Sequence, residues 1–274
     1  MSADTLHVAA LVAYDGTDYA GFQVQNNAST IQGSLELALS KITGSLYRLA
    51  GSGRTDSGVH ARGQVVTVSV PWKHPIENLQ RAWNAHLPSS IVVQKIAAAP
   101  ENFHPRFSAK SRTYRYFIEW EQREEYNSLP SYSPLSDRYA LFVPKSLDVQ
   151  AMQDAAKLLI GTQDFATFGH PPHGVNTVRT IRKAEFQCVN TDLHPLQNSQ
   201  RNRCVFTIVA NAFLRQMVRN LTGSLLEVGR RHWSLEKFHC AIETRDRRLS
   251  APPAPPNGLF LEYVEYPDYP NLFS

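Results

Sequence analysis

The sequence predicts an α+β protein of two split β-α-β halves, ferredoxin-like in type, with antiparallel-rich sheets facing a central cleft. Three observations lead there. Apolar runs with strand spacing alternate with apolar stripes of helical period, the order β-α-β-β-α-β occurs twice, and 274 residues suffice for two ordinary domains that share an interface. The halves are expected at 1–105 and 106–274.

In the first half, Leu6 to Tyr14 reads as a strand ended by the turn Asp15-Gly16. Ser29 and Gln32 have capping-box spacing, and Ile31, Leu35, Ala38, Leu39 and Ile42 form a helix stripe that Gly44 stops. Leu46 to Ala50 and Gln64 to Val70 read as strands around a glycine-rich loop. Pro75 opens a helix with Ile76, Leu79, Trp83 and Leu87 inward, and Ile91 to Ile96 closes the half. In the second half the same order comes from a strand at Thr113 to Glu119, a helix at Leu147 to Leu159, strands at Val178 to Val189 and Arg203 to Ala210, and a helix at Ala212 to Val228. That last helix has Leu214, Val218, Leu221, Leu225 and Val228 as its stripe and Gly229 as a left-handed stop. A short helix, Leu235 to Ile242, a proline-rich spacer, Pro252 to Pro256, and a strand, Leu259 to Tyr266, follow.

Charge is spread unevenly. Residues 1–104 balance seven Lys or Arg against seven Asp or Glu, whereas 171–248 hold thirteen against six, most of them arginine. Guanidinium forks suit bidentate phosphate contacts, so the second half points to a polyanion, with dispersed solvated arginines as the bland alternative. Three cysteines without C-x-x-C spacing fit neither a disulfide framework nor a zinc ribbon, and a cytoplasmic location is expected. The N-terminal apolar stretch is too short for a signal or a membrane span.

Gly51 to Ala61, G-S-G-R-T-D-S-G-V-H-A, sets three glycines and one carboxylate between two strands. Glycines permit positive φ and close approach of backbone to ligand, and Arg54 and Asp56 put opposite charges two residues apart. A hairpin whose Asp caps its own backbone is the structural alternative. Neither phosphate-loop spacing occurs, no histidine pair has metal-ligand spacing, and His60 is expected to be structural. A carboxylate withdrawn from water needs a cation beside it to stay ionised. Arg219 is the candidate, with Arg215 one turn before it on the same helix face. Arg112, Tyr114 and Tyr116 share one strand face, a pattern suited to base stacking and phosphate binding, or to a tyrosine packed in the core.

These segments together resemble the TruA family of tRNA pseudouridine synthases. Gly53 to Ala61 is similar to its catalytic signature, Tyr14-Asp15-Gly16 with Tyr19 to Gln23 to its first turn, and Phe103 to Ser108 with Arg112 to Tyr116 to the segment bearing its uracil-stacking tyrosine. Ala212 to Asn220 resembles the helix with its paired arginine, and Gly258 to Pro267 its closing strand. The resemblance implies the pseudouridine synthase fold and isomerisation of uridines 38, 39 and 40 in the tRNA anticodon stem-loop. It implies no cofactor, no metal and no membrane partner, and a homodimer. By it Asp56 is the nucleophile, Arg219 its partner and Tyr114 the uracil contact, with Arg54, Arg215 and Leu261 also binding substrate. The chain departs from the pattern at Ser57 for alanine, Phe22 for tryptophan, a longer polar hairpin at 191–202, and Ser250 to Pro256. Two other classes fit parts of the sequence: a non-catalytic RNA-binding protein on the arginines alone, and an aspartyl-phosphate enzyme at Asp56, against which stands the lack of metal-binding carboxylates beside the loop.

Overall fold

The structure is a computed structural model describing residues 5–121, 133–171, 174–189 and 201–273. It is mixed α+β. In chain order the elements are β1 (Thr5–Tyr14), α1 (Ile31–Thr43), β2 (Ala50–Gly51), β3 (His60–Pro71), α2 (Ile76–His86), β4 (Ile91–Ala98), β5 (Ser111–Glu121), β6 (Leu141–Val143), α3 (Val149–Lys157), β7 (Gly161–Asp164), β8 (Val178–Val189), β9 (Arg201–Ala210), α4 (Met217–Gly229), α5 (Leu235–Thr244) and β10 (Leu259–Glu265). They divide into two compact units, Met1–Arg112 with Phe260–Ser274, and Thr113–Leu259. The closing strand therefore lies almost wholly in the first unit, where Phe260 and Leu261 pair in parallel with His60 and Ala61.

In the first unit β1 is antiparallel to both β3 and β4. Flanked on both edges, it buries three successive residues, Val8, Ala9 and Ala10, rather than alternating. The two helices bury Ile31, Leu35, Leu39, Leu79 and Trp83, and the Trp83 indole donates to the Leu35 carbonyl at 3.1 Å. Burying side chains of this size contributes roughly 1.5–3 kcal/mol each. Gly44 ends α1 in the left-handed region, φ 72°, as expected. The cap at its start differs: Thr30 takes the N–H of Gly33, while the Gln32 amide turns instead to Glu36 and the Leu49 carbonyl.

The expected strand at Leu46 to Ala50 shrinks to β2. Buried Glu36 accepts the Leu49 N–H at 3.0 Å and pairs with Arg48 at 2.8 Å, which takes away the donor a ladder needs. Only Ala50 and Gly51 then pair with β3.

In the second unit β8 is antiparallel to β7 and β9, β9 neighbours β5, and β6 runs parallel to β5. β7 is four polar or small residues and β6 three apolar ones, so neither shows the alternation that marks a strand in sequence. The expected stripe is buried, with Val218, Leu221, Leu225 and Val228 on α4 and Leu214 in the turn before it. Two details of α4 are corrected. It begins at Met217, because Gln216 sits at φ 60°, outside the helical region. Gly229 is its last helical residue and not its left-handed stop. A Cβ there would fall 2.4 Å from Met152 Sδ, so glycine allows α3 to approach, and the positive φ belongs to Arg231. The polar hairpin at 191–202 falls, for 191–200, outside the described residues. Among the described residues no helix is long and apolar enough to cross a membrane.

Candidate active site

The loop from Gly51 to Ala61 is held by the turns that follow β1. Thr55, just before Asp56, is gripped twice: its carbonyl accepts the Phe22 N–H at 3.1 Å, and its hydroxyl meets the buried Tyr14 hydroxyl at 2.8 Å. Burial pushes the Tyr14 phenol up to about 12, with the bonds to Thr55 and Gln64 pulling back, so it stays protonated. Beyond Asp56, its carbonyl accepts the Val59 N–H at 3.2 Å, and Gly58 at φ 75° closes that turn. The Tyr19 carbonyl takes the Gly58 N–H at 3.2 Å and the Ser57 hydroxyl at 3.1 Å. Ser57 thus adds a tie at the position where the resemblance expects alanine.

Glycine is required where the two segments touch. A Cβ at Gly16 would lie 2.0 Å from the Val59 carbonyl oxygen, and one at Gly21, φ 101°, 2.8 Å from that of Thr55. Phe22 packs on Gly51, where a Cβ would meet its ring at 2.5 Å, so the phenylalanine that replaces tryptophan is closely fitted. His60 is fully buried, accepts the Gly16 N–H at Nδ1 and stacks on Phe260 at 4.6 Å, a structural role. Half-buried Asp56 and exposed Arg54 are what this framework presents.

Arg112, on the strand face whose pattern suits base stacking and phosphate binding, holds backbone carbonyls of the loop and of the segment before β5. It donates to the Ser52 and Ala109 carbonyls at 3.3 Å each and to that of Arg106 at 2.6 Å. Leu261 is fully buried beside Ala61 and offers a base no surface.

In the second unit Tyr114 is 9% exposed and meets Phe213 edge to face at 5.1 Å. Tyr116 is the tyrosine packed in the core. Its hydroxyl donates to the Pro255 carbonyl at 2.7 Å, and burial pushes its pKa well up against the opposing Arg219 charge. Arg219 Nε donates to the Ala254 carbonyl at 2.8 Å, and the Ala254 N–H returns to the Arg219 carbonyl at 2.9 Å. The proline-rich segment is therefore not a spacer but a strap along α4. The Ala251 N–H just before it reaches Ser224 Oγ at 3.2 Å, and a Cβ on Gly223 would strike the Pro252 carbonyl oxygen at 2.1 Å. Arg215 does not share a helix face with Arg219: it precedes α4, bridges to His170 by its backbone, and exposes its side chain.

A sequence profile described as tRNA pseudouridine synthase matches residues 10–108 and 155–267. The chain belongs to the tRNA pseudouridine synthase family. As a pseudouridine synthase it is an isomerase. It is similar to tRNA pseudouridine synthase A of Roseiflexus castenholzii, 39% identical over 96% of this chain and 91% of that one. It is likewise similar to those of Chloroflexus aurantiacus, 40% identical over 95% and 88%, and Thermotoga neapolitana, 37% over 94% and 98%. Asp56, Arg54, Arg215, Arg219 and Leu261 lie inside the profile's two stretches, and Tyr114 lies between them. For this family member, sequence reasoning missed three positioning groups, Tyr14, Thr55 and the Ala254 carbonyl. The first two carried a signal in the Tyr14-Asp15-Gly16 and Gly53 to Ala61 segments, and the backbone carbonyl had none.

Proposed function

We propose that this pseudouridine synthase converts uridines 38, 39 and 40 of the tRNA anticodon stem-loop to pseudouridine, with Asp56 as the catalytic carboxylate. The observation that carries the proposal is the fixing of the backbone around Asp56 by Tyr14, Tyr19 and Phe22, which holds one carboxylate ready without later ordering cost. The reaction breaks the N1–C1′ bond, turns the base and joins C5 to C1′; the C5 proton leaves to solvent and N1 gains one. No redox partner is needed. Asp56 supplies the electron pair that assists bond breaking.

In this proposal Arg219, its guanidinium oriented through Ala254, keeps Asp56 ionised, and Tyr114 contacts the uracil ring. Arg54 and Arg215, both exposed, hold phosphates of the turned-out nucleotide, and Leu261 supports the loop from behind through Ala61. The protein acts in the cytoplasm as a homodimer, for which light scattering should give twice the mass of one chain. The deciding experiment incubates undermodified tRNA with the wild type and with Asp56→Ala and counts pseudouridine by mass spectrometry. The wild type should modify positions 38–40 and the variant none. Absence of product with the wild type removes the proposal.

A further inference from the structure

Phe107 is 76% exposed, the ring of a large apolar residue set out in water on the first unit. An isolated surface ring needs no explanation. This one sits on a built support. The turn from His104 to Ser108 is closed by the Ser108 N–H to the His104 carbonyl at 2.9 Å and by the His104 N–H to Ser108 Oγ at 3.1 Å. The His104 Nδ1 accepts the Arg106 N–H at 3.1 Å and the Phe107 N–H at 3.4 Å. The His104 ring lies 4.4 Å from that of Phe107, and the Arg106 guanidinium 5.7 Å from its centroid. The turn is also tied to the catalytic loop, because Arg112 Nη2 bridges the Arg106 carbonyl at 2.6 Å and the Ser52 carbonyl at 3.3 Å.

We infer that Phe107 is a stacking platform for an unpaired base of the RNA substrate, with Arg106 beside it for the adjoining phosphate. The inference rests on the function proposed above and adds a contact to it. Core packing explains a ring that is buried, and Phe107 is not. A ring fixed by its backbone loses little entropy when a base lies on it, and every base offers a π-face, so the contact gives affinity without sequence choice. The link through Arg112 sets the spacing from this base to the nucleotide at Asp56.

The test measures affinity for undermodified tRNA, and KM and kcat for pseudouridine formation, in Phe107→Ala, Phe107→Leu and Phe107→Tyr. Leu37→Ala, at another exposed apolar side chain of the same unit, is the control. Alanine and leucine should each weaken binding about tenfold, with the loss in KM; tyrosine should restore it, and the control should match the wild type. Wild-type affinity in Phe107→Ala overturns the inference. So does leucine performing as well as tyrosine, which would make the contact merely apolar, or a change in mass on light scattering, which would make the ring a subunit contact. The binding arm reads the ring whether or not product forms, so a wild type that binds tRNA without modifying it fails the proposed reaction and not this platform.

Discussion

The Nδ1 atom of His104 can accept the Arg106 and Phe107 N–H groups only while it carries a lone pair. Burial lowers its pKa below the ordinary 6.5, and the Arg106 charge lowers it further. A histidine whose folded pKa is depressed binds fewer protons folded than unfolded, so its contribution is present above pH 6.5 and lost as pH falls below that value. The amide resonances of Arg106 and Phe107 should therefore shift as pH is lowered below 6.5 and the imidazole takes up its proton, and should stay still in His104→Asn, whose side-chain oxygen keeps an acceptor without titrating. Unmoved resonances in the wild type would show that His104 does not hold the turn. Tyr14 has the opposite sign. Its raised pKa means that its stabilisation is whole below pH 10 and lost as pH climbs toward about 12. Tyr14→Phe leaves Thr55 Oγ1 without this partner in a buried place and should cost about 1–3 kcal/mol, seen as a lower Tm. Since Thr55 adjoins Asp56, kcat should fall in the same variant.

Among the elements, the strap along α4 carries a prediction that separates packing from propensity. Gly223→Ala gains roughly 1 kcal/mol of helix propensity. Against that, its Cβ would stand 2.1 Å from the Pro252 carbonyl oxygen, a backbone atom that cannot swing aside. Overpacking of this kind costs about 1–3 kcal/mol, so the net change should be destabilising. Displacing the strap also moves Ala254 from Arg219, and kcat should fall. Gly44→Ala is the comparison: φ 72° strains alanine there, but a Cβ would meet nothing within 4 Å, so Tm should drop with kcat unchanged. The same elements show where sequence was informative. Helical period located α1 and α4 because their stripes face a core, and the left-handed glycine ending α1 was visible because φ is a local property. The loop bearing Asp56 was visible because its chemistry is written in consecutive residues. What escaped depends on partners distant in the chain. Glu36 removed the strand before β2, Gln216 moved the start of α4, and the strap became visible only with its carbonyls on Arg219 and Tyr116.

For the molecule as a whole, the surplus of arginine between 171 and 248 overstates the phosphate contacts it can make. Arg201 and Arg203 both pair with buried Glu119, and Arg201 also reaches Asp137 at 2.7 Å, with side-chain exposures of 4% and 24% for the two arginines. Arg247 donates to the Thr167 carbonyl, and Arg219 to that of Ala254. Others are paired at the surface, such as Arg231 with Asp148 and Arg248 with Asp246, at 81% and 88% side-chain exposure, where an ion pair contributes little and can yield to a phosphate. The charge count therefore contains two populations, and two variants should tell them apart. Arg201→Ala leaves Glu119 in a buried site with part of its compensation gone; breaking such a pair costs about 3–5 kcal/mol, so Tm should fall steeply while the salt dependence of tRNA binding in the folded fraction is unchanged. Arg215→Ala removes an exposed guanidinium, so Tm should hold and the slope of log affinity against log salt should become shallower by about one unit. Measured by thermal melts and by binding titrations across a salt series, an exchange of these two outcomes, with Arg215 stabilising the fold and Arg201 setting the slope, would refute the division of the arginines into those that hold the protein and those that meet the RNA.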